Sequence, residues 1–301
     1  MIFNKETDFI SIIAPSSGCY DAEDKLEEAR KILLEQGFKV LVDDKIFTKA
    51  SDELPFFVAP KTERLRMFKE AMENPEVKII WAFRGGYGCS EFVEDCFDIK
   101  MIENKILIGY SDITILHLLL NQHYNIPSIH GSVLTSLLPP NNQNIQEIIN
   151  ILKGKDSKIA LTPINKTDEN NIVGKISGGN LTVLTKMIGT KLHPQTDEKI
   201  LILEDVNEKG YAIHRNLMQL KNAKIFDNVK AIIFGDFTNS DRNETISIEA
   251  FCHNHIPQLS TYHVLGIGHG QVNHPFIMNH EAVIKDNYLN FTSPFNVSIV
   301  K

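Results

Sequence analysis

Short apolar segments alternate with amphipathic helical segments through the first half of this 301-residue chain. The apolar segments at 9–14, 39–42 and 77–83 are almost unbroken, and helical patterns at 22–36 and 62–73 separate them. Unbroken apolar strands that alternate with helices are typical of a parallel sheet covered on both faces. The pattern therefore predicts an α/β fold, in which ligands bind beyond the carboxyl ends of the strands.

The second half of the chain has a similar pattern with more strand. Strands are predicted at 199–203, 229–234 and 264–267, helices at 181–188 and 213–221, and short antiparallel strands within 280–300. A Pro- and Asn-rich connection begins at residue 139. We predict a first domain over 1–145, a linker over 146–165 and a second α/β domain over 166–301.

Charge and composition limit the classes of partner. The formal net charge of −7 disfavours nucleic acids and anionic membranes, because both require a basic surface. No apolar segment approaches the length of a signal peptide core or of a membrane span. The four cysteines are too sparse for a disulfide scaffold. We therefore expect a cytoplasmic protein with reduced thiols and no nucleic-acid or membrane partner.

The segment 105–114 predicts a buried strand, a tight turn and the start of a helix. A serine at such a turn stands clear of the sheet, close to helix N–H groups that favour a developing oxyanion. Ser111 is therefore a candidate nucleophile. The alternative is that Ser111 and Asp112 only cap the helix, and the hydrolase elbow pattern ends in glycine where this chain has Ile113.

A serine nucleophile requires a base, and an imidazole held by a carboxylate is the common one. Glu204 follows the apolar run 200–203, and His269 lies between two glycines after the apolar run 264–267. Both are candidates for such a pair. For Glu204 the alternative is a helix cap or a salt-bridge partner.

The glycine-rich loop at 84–88 matches neither a dinucleotide-binding motif nor a P-loop, so no nucleotide cofactor is predicted. Arg84 and Tyr87 of this loop are the predicted substrate contacts. Arg84 suits a terminal carboxylate, or alternatively braces the loop. His253 and His255 are two residues apart and would point to different faces of a helix, so no metal site is predicted.

Seven motifs in one order resemble the LD-carboxypeptidases, a serine peptidase family that includes muramoyltetrapeptide carboxypeptidases and microcin C self-immunity peptidases. They are RGGYG at 84–88, GYSDIT at 109–114, HG at 130–131, GGNL at 178–181, LEDV at 203–206, YAIHR at 211–215 and GHG at 268–270. The resemblance extends from residue 13 to the end of the chain. One departure is Ser132, where the family often has proline.

The resemblance implies a role for each candidate. Ser111 corresponds to the family nucleophile, Glu204 to the triad acid and His269 to the triad base. The backbone N–H groups of Asp112 and Gly86 would form the oxyanion hole. The family fold is an N-terminal Rossmann-like domain followed by a smaller, strand-rich domain, with the site between them.

The resemblance further implies an enzyme without a cofactor, expected to be a homodimer. It would remove the terminal D-alanine from small muropeptide tetrapeptides in cell-wall recycling. One alternative is an immunity-type peptidase that hydrolyses an amide of a peptidyl or aminoacyl nucleotide. Another is a binding protein that has lost its chemistry. Trp81, the only tryptophan, is predicted to pack in a strand, which weighs against its stacking on adenine.

Overall fold

The apolar segments form two large sheets and a two-stranded pair in the computed structural model of the chain. The structure describes residues 2–4, 6–17, 22–48, 59–101, 105–139, 145–165, 171–241 and 243–298. Sequence features at Gly18, Cys19, 140–144, 166–170 and Arg242 lie outside these residues. The chain folds as two units, one of Met1–Gly154 with Pro294–Lys301 and one of Lys155–Ser293.

The first unit alternates strands with helices. Its elements before the chain leaves it are β1 (Ile2–Asn4), β2 (Phe9–Ile13), α1 (Glu23–Glu35), β3 (Lys39–Val42), α2 (Lys61–Glu73), β4 (Val77–Ala82), α3 (Cys89–Phe92), β5 (Ile106–Gly109), α4 (Thr114–Leu118), β6 (Ser128–His130) and α5 (Ile145–Leu152). The strands β3, β2, β4, β5 and β6 lie side by side in this order, and every pair is parallel. The predicted parallel α/β sheet is therefore confirmed.

The second unit contains a larger sheet. Its elements are β7 (Ser157–Ala160), β8 (Thr162–Asn165), β9 (Asn171–Asn180), α6 (Leu181–Lys186), β10 (Lys199–Val206), α7 (Gly210–Asn222), β11 (Ala231–Thr238), α8 (Glu244–His255), β12 (Ser260–His263), β13 (Phe276–Met278), β14 (Glu281–Lys285) and β15 (Tyr288–Phe291). Eight strands lie in the order β7-β15-β14-β9-β10-β11-β12-β8. The central strands β9 to β12 are parallel, and the flanking strands pair antiparallel. The predicted strand-rich α/β unit is confirmed.

The prediction of a strand at 264–267 is wrong. The strand at this place is β12, whose last residue His263 pairs with Phe234 of β11. Beyond it the backbone turns away, because Gly266 and Gly268 adopt positive φ angles of 78° and 131°. Apolar composition alone cannot distinguish a buried irregular segment from a strand.

The end of the chain also differs from the prediction. The hairpin of β14 and β15 is antiparallel, as predicted, but β16 (Asn296–Ser298) pairs parallel with β1 and belongs to the first unit. The residues predicted as a linker form α5, β7 and β8. The boundaries between the two units therefore lie between residues 154 and 155 and between residues 293 and 294. The predicted second domain, in contrast, extended to residue 301.

No helix of the described residues is both long and apolar enough to cross a membrane.

Candidate active site

Ser111 lies in the turn between β5 and α4 with a strained backbone. Its φ angle is +65°, a value that residues other than glycine seldom adopt. The turn is so tight that a Cβ atom at Gly109 would lie 2.9 Å from Cγ2 of Ile113. Among the described residues, no side chain caps this turn, which begins after Tyr110. A strained serine at a strand-to-helix turn is the geometry of a nucleophile elbow.

The glycine-rich loop after β4 lies directly against Ser111. A Cβ atom at Gly85 would lie 3.0 Å from Cβ and 3.2 Å from Oγ of Ser111. Gly86 has a φ angle of +117°, and a Cβ atom there would lie 2.0 Å from Oγ of Ser17. The N–H of Ser17 donates to the carbonyl of Gly85, and the N–H of Tyr87 donates to the Ser17 hydroxyl. Only glycine permits this approach of the loop to Ser111 at position 85 and to Ser17 at position 86.

Arg84 and Tyr87, the predicted substrate contacts, are exposed on this loop. Within the described part of the chain, Arg84 forms no salt bridge. The interpretation of Arg84 as a brace of the loop therefore has no ion pair to support it. Both side chains are accessible to a ligand.

Asp112 has a structural task that the sequence did not indicate. Its side chain is buried, and its Oδ2 accepts hydrogen bonds from the Ser16 hydroxyl at 2.6 Å and the Cys89 N–H at 2.9 Å. Burial raises the pKa of Asp112, while these hydrogen bonds lower it less. The carboxyl group thereby joins the segments that follow β2, β4 and β5, and it holds its own backbone N–H next to Ser111.

Arg64 of α2 is a second residue that sequence reasoning missed. Its side chain is 1% exposed, and its Nη1 donates to the carbonyls of Pro15 at 3.2 Å and Gly88 at 2.5 Å. Its Nη2 pairs with Glu91. One buried guanidinium therefore fixes the loops after β2 and β4. Because α2 is rich in charged residues, nothing in the sequence distinguishes Arg64 from exposed neighbours.

The second unit brings Glu204 and His269 together. Glu204 lies on β10 with 1% exposure, and its Oε2 is 2.7 Å from Nδ1 of His269. Burial lowers the pKa of His269, but the charge and hydrogen bond of Glu204 raise that pKa more, so the net shift is upward. With Nδ1–H donating to the carboxylate, the neutral ring keeps Nε2 as a proton acceptor. This is the arrangement of a general base held by an acid.

Glycines and an acid hold the segment that carries the imidazole. A Cβ atom at Gly268 would lie 3.0 Å from Oε2 of Glu204, so only glycine allows this approach. The N–H of Gly268 donates to Oδ1 of Asn273 at 3.0 Å. The N–H of Gly266 donates to both carboxylate oxygens of Asp236 at 3.1 Å. The irregular segment after β12 is thus fixed by side-chain acceptors together with backbone hydrogen bonds to β11, from the N–H of Val264 to Phe234 and from the N–H of Asp236 to Ile267.

Asp205 stands next to Glu204 with a different task. Its carboxylate accepts from Nδ2 of Asn180 and from the N–H of Thr182, each at 2.9 Å. Asn180 in turn accepts from the N–H of Val183 and caps α6. Burial, with the charge of Glu204, raises the pKa of Asp205 to about 6. Asp205 therefore anchors α6 to β10.

His253 and His255 lie in the last turn of α8. The His255 ring packs against the rings of His214 and Phe251, with centroid distances of 5.7 and 5.3 Å. In the described ranges, no group of three or more His, Cys, Asp or Glu side chains is arranged to hold a metal ion.

Sequence profiles of known families match both halves of the chain. The profile of the LD-carboxypeptidase N-terminal domain matches residues 10–131, and that of the C-terminal domain matches residues 173–284. The chain belongs to the LD-carboxypeptidase family. The resemblance seen in the motifs is thereby confirmed.

Relatives of this LD-carboxypeptidase family member extend over most of its length. A candidate carboxypeptidase of Rickettsia conorii is 34% identical over 285 residues, which cover 91% of this chain and 87% of the relative. The murein tetrapeptide carboxypeptidase of Pseudomonas aeruginosa is 29% identical over 299 residues, 94% of each chain. The microcin C7 self-immunity protein MccF of Escherichia coli is 27% identical over 262 residues, 75% of this chain and 74% of that protein.

Two solved structures show the same fold. The muramoyltetrapeptide carboxypeptidase of Oxalobacter formigenes has a TM-score of 0.79 at 24% identity, over 95% of this chain and 99% of that one. The MccF-like protein of Bacillus anthracis has a TM-score of 0.85 at 20% identity, over 97% and 99%. At these identities the likeness concerns the fold alone, and it is similar for both branches of the family.

Proposed function

We propose that this LD-carboxypeptidase is a serine enzyme that removes the terminal D-alanine from muropeptide tetrapeptides, in cytoplasmic cell-wall recycling. The observation that carries the proposal is the pairing of buried Glu204 with partly exposed His269, with 2.7 Å between carboxylate and imidazole. Perturbed pKa values cluster at functional sites, and the pKa of His269 is raised by the charge and hydrogen bond of Glu204. The strained Ser111 and the name of the Pseudomonas aeruginosa relative support the same function.

In this mechanism Oγ of Ser111 attacks the carbonyl that precedes D-alanine, while Nε2 of His269 accepts the hydroxyl proton. The N–H groups of Asp112 and Gly86 stabilise the oxyanion. His269 then donates the proton to the leaving amine, and the C–N bond breaks to give an acyl-enzyme and free D-alanine. Water, deprotonated by His269, hydrolyses the ester and regenerates Ser111.

Substrate binding and assembly are further parts of the proposal. The exposed guanidinium of Arg84 suits the terminal carboxylate of D-alanine, since guanidinium groups bind carboxylates in bidentate fashion. Tyr87, on the same loop, would contact the stem peptide. We expect a homodimer with one site in each chain.

The alternative is an immunity-type peptidase that acts on a peptidyl or aminoacyl nucleotide, and the likeness to MccF of Escherichia coli keeps it open. Trp81 weighs against it. This tryptophan, the only one in the chain, is fully buried, and its indole N–H donates to the carbonyl of Ser132 at 2.9 Å. No tryptophan is therefore available to stack on a nucleobase.

The test is mass spectrometry of a disaccharide tetrapeptide incubated with wild-type protein, Ser111→Ala and a control, Ser157→Ala, on the edge strand β7. We expect loss of one D-alanine with wild type and Ser157→Ala, and none with Ser111→Ala or His269→Ala. Turnover by Ser111→Ala at the wild-type rate would refute the assignment of the nucleophile.

Failure of the wild-type protein to release D-alanine would overturn the proposed substrate. Aminoacyl sulfamoyl nucleotides would then be tested as substrates for the immunity-type activity. A fluorophosphonate probe distinguishes either proposed hydrolase activity from a binding protein without catalytic activity, because the probe labels Ser111 only if this serine is activated.

A further inference from the structure

A cavity of about 620 Å³ opens in the second unit beside the carboxyl ends of β11 and β12. Residues that line it include Asp236, Thr238, Ser240, Glu244, His263 and Leu265. Its volume lies within the range of about 300–1,000 Å³ that is usual for small-molecule sites. We refer to it as the β11–β12 cavity.

Three polar atoms in the lining are buried without a hydrogen-bond partner among the described residues. They are Oγ1 of Thr238, Oγ of Ser240 and Nε2 of His263. The nearest carboxylate oxygen to this His263 nitrogen, Oε1 of Glu249, is 3.8 Å away, too far for a hydrogen bond. Buried polar atoms are normally bonded, so two hydroxyls and an imidazole left unpartnered on residues that line one cavity indicate a ligand rich in hydroxyl or amide groups, toward which these side chains would turn.

The charges in the lining exclude an anion. Among the described lining residues, the charged groups are the carboxylates of Asp236 and Glu244. Burial lowers the pKa of His263, which keeps its ring neutral near pH 7. A phosphate or carboxylate ligand would therefore meet only like charge.

Apolar side chains complete the lining. Ile248 and Val264 are buried, whereas Leu265 is 85% exposed at the rim. An exposed leucine next to hydroxyls and carboxylates suits a neutral molecule with both hydroxyl groups and apolar C–H faces. A carbohydrate has this chemistry.

The cavity shares a wall with the segment that carries His269. Both carboxylate oxygens of Asp236 accept the N–H of Gly266. Oδ2 of Asp236 also lies 2.9 Å from the position of a Cβ atom at Gly270. The cavity is therefore adjacent to the segment 266–270 that carries His269, on the side where the more distant part of a substrate is proposed to lie. In a muropeptide, three stem residues, about 10 Å when extended, separate the scissile bond from the sugar.

We propose that the β11–β12 cavity binds the amino-sugar part of the muropeptide, an inference that rests on the proposed function. The stem peptide carries carboxylates that Asp236 and Glu244 would repel, whereas the N-acetylated sugars are neutral. Hydroxyl and acetamido groups of the sugar would bond to Thr238, Ser240 and His263.

The first test compares kcat/KM for a disaccharide tetrapeptide with kcat/KM for the free tetrapeptide. We expect the wild-type ratio to exceed one and the double variant Thr238→Val/Ser240→Ala to lower it about tenfold, since each hydroxyl contributes roughly three- to tenfold. Ser247→Ala, on α8 but outside the cavity lining, is the matched control and should keep the wild-type ratio. A wild-type ratio of one, or an unchanged ratio in the double variant, would overturn the proposal.

The second test does not depend on turnover. Ser111→Ala labelled with ¹⁵N is titrated with N,N′-diacetylchitobiose, a neutral amino-sugar disaccharide without peptide. We expect amide shifts at Thr238, Ser240 and His263 that the double variant abolishes. Absence of these shifts would overturn the sugar site. If neither tetrapeptide is cleaved while these shifts are seen, the proposed reaction fails and the sugar site stands.

Discussion

Glycine at position 85 determines how closely the backbone approaches Ser111. Gly85→Ala would place a methyl group 3.2 Å from the Ser111 hydroxyl oxygen and 3.0 Å from its Cβ. We expect kcat/KM to fall about 100-fold, because displacement of a reacting group by an ångström has an effect of that size.

Steady-state kinetics with a tetrapeptide substrate measures this loss. The control is Gly189→Ala, where a Cβ atom meets nothing within 4 Å although φ is +83°. This variant should lose about 1 kcal/mol of unfolding free energy and keep its kcat/KM. Equal kinetic losses in the two variants would show that the space beside Ser111 is unimportant.

In the proposed mechanism, the charge of Glu204 determines the pH at which His269 becomes a neutral base. The pKa of His269 is raised, so the acidic limb of kcat/KM should lie above the ordinary histidine pKa of about 6.5. Glu204→Gln removes the charge and leaves burial, which lowers the pKa. The limb should therefore move to lower pH, with kcat reduced on the order of 10²- to 10⁴-fold. An acidic limb at the same pH in both proteins would contradict the assignment of His269 as base.

At the scale of elements, the surroundings of Ser111 in the first unit depend on hydrogen bonds between loops that follow different strands. Asp112→Ala removes the acceptor for Ser16 and Cys89 and leaves both donors buried. We expect the free energy of unfolding to fall by about 2–4 kcal/mol, and kcat/KM to fall with it because the amide of residue 112 loses its support. Urea denaturation measures the first effect.

Asp112→Asn is the matched variant for this prediction. Its amide oxygen can still accept from the Ser16 hydroxyl and the Cys89 N–H, so we expect it to lose less stability and less activity than Asp112→Ala. If both variants were as stable as wild type, the carboxyl group would not connect the loops as the structure indicates.

At the scale of the whole molecule, the end of the chain completes the first unit. The strand β16 pairs parallel with β1, and Phe295 beside it is 4% exposed. Removal of residues 294–301 should destabilise the first unit by about 3 kcal/mol or more, the usual effect of losing a buried phenylalanine.

Hydrogen exchange with mass spectrometry measures this prediction and localises it. Exchange should become faster in β1 and in the sheet of the first unit, while the amides of β9 to β12 keep their protection. Phe295→Ala separates the side chain from the strand and should show part of the effect. Unchanged protection of β1 in the truncated protein would contradict this role of β16.

Most elements follow from local sequence patterns. The strand β3 has the predicted bounds, because a short apolar run between turn residues is a local signal. The same signals place Ser111 at a strand-to-helix turn and Glu204 at the carboxyl end of a buried strand. In contrast, 264–267 has the apolar composition of a strand but is irregular, because the positive φ of Gly266 interrupts the ladder with β11 and the N–H of this glycine bonds to the Asp236 side chain.

The sequence by itself determined the class of fold, the family and the chemical types at the candidate site, since these depend on periodicity and on short motifs. Only the tertiary structure decided which charged residues are buried. Arg64, Asp112 and Asp205 have no local signal that separates them from exposed acids and bases. Each of the three also has a partner 20 or more residues away along the chain. The same holds for β16, whose pairing with β1 joins opposite ends of the chain and is selected by packing between distant residues.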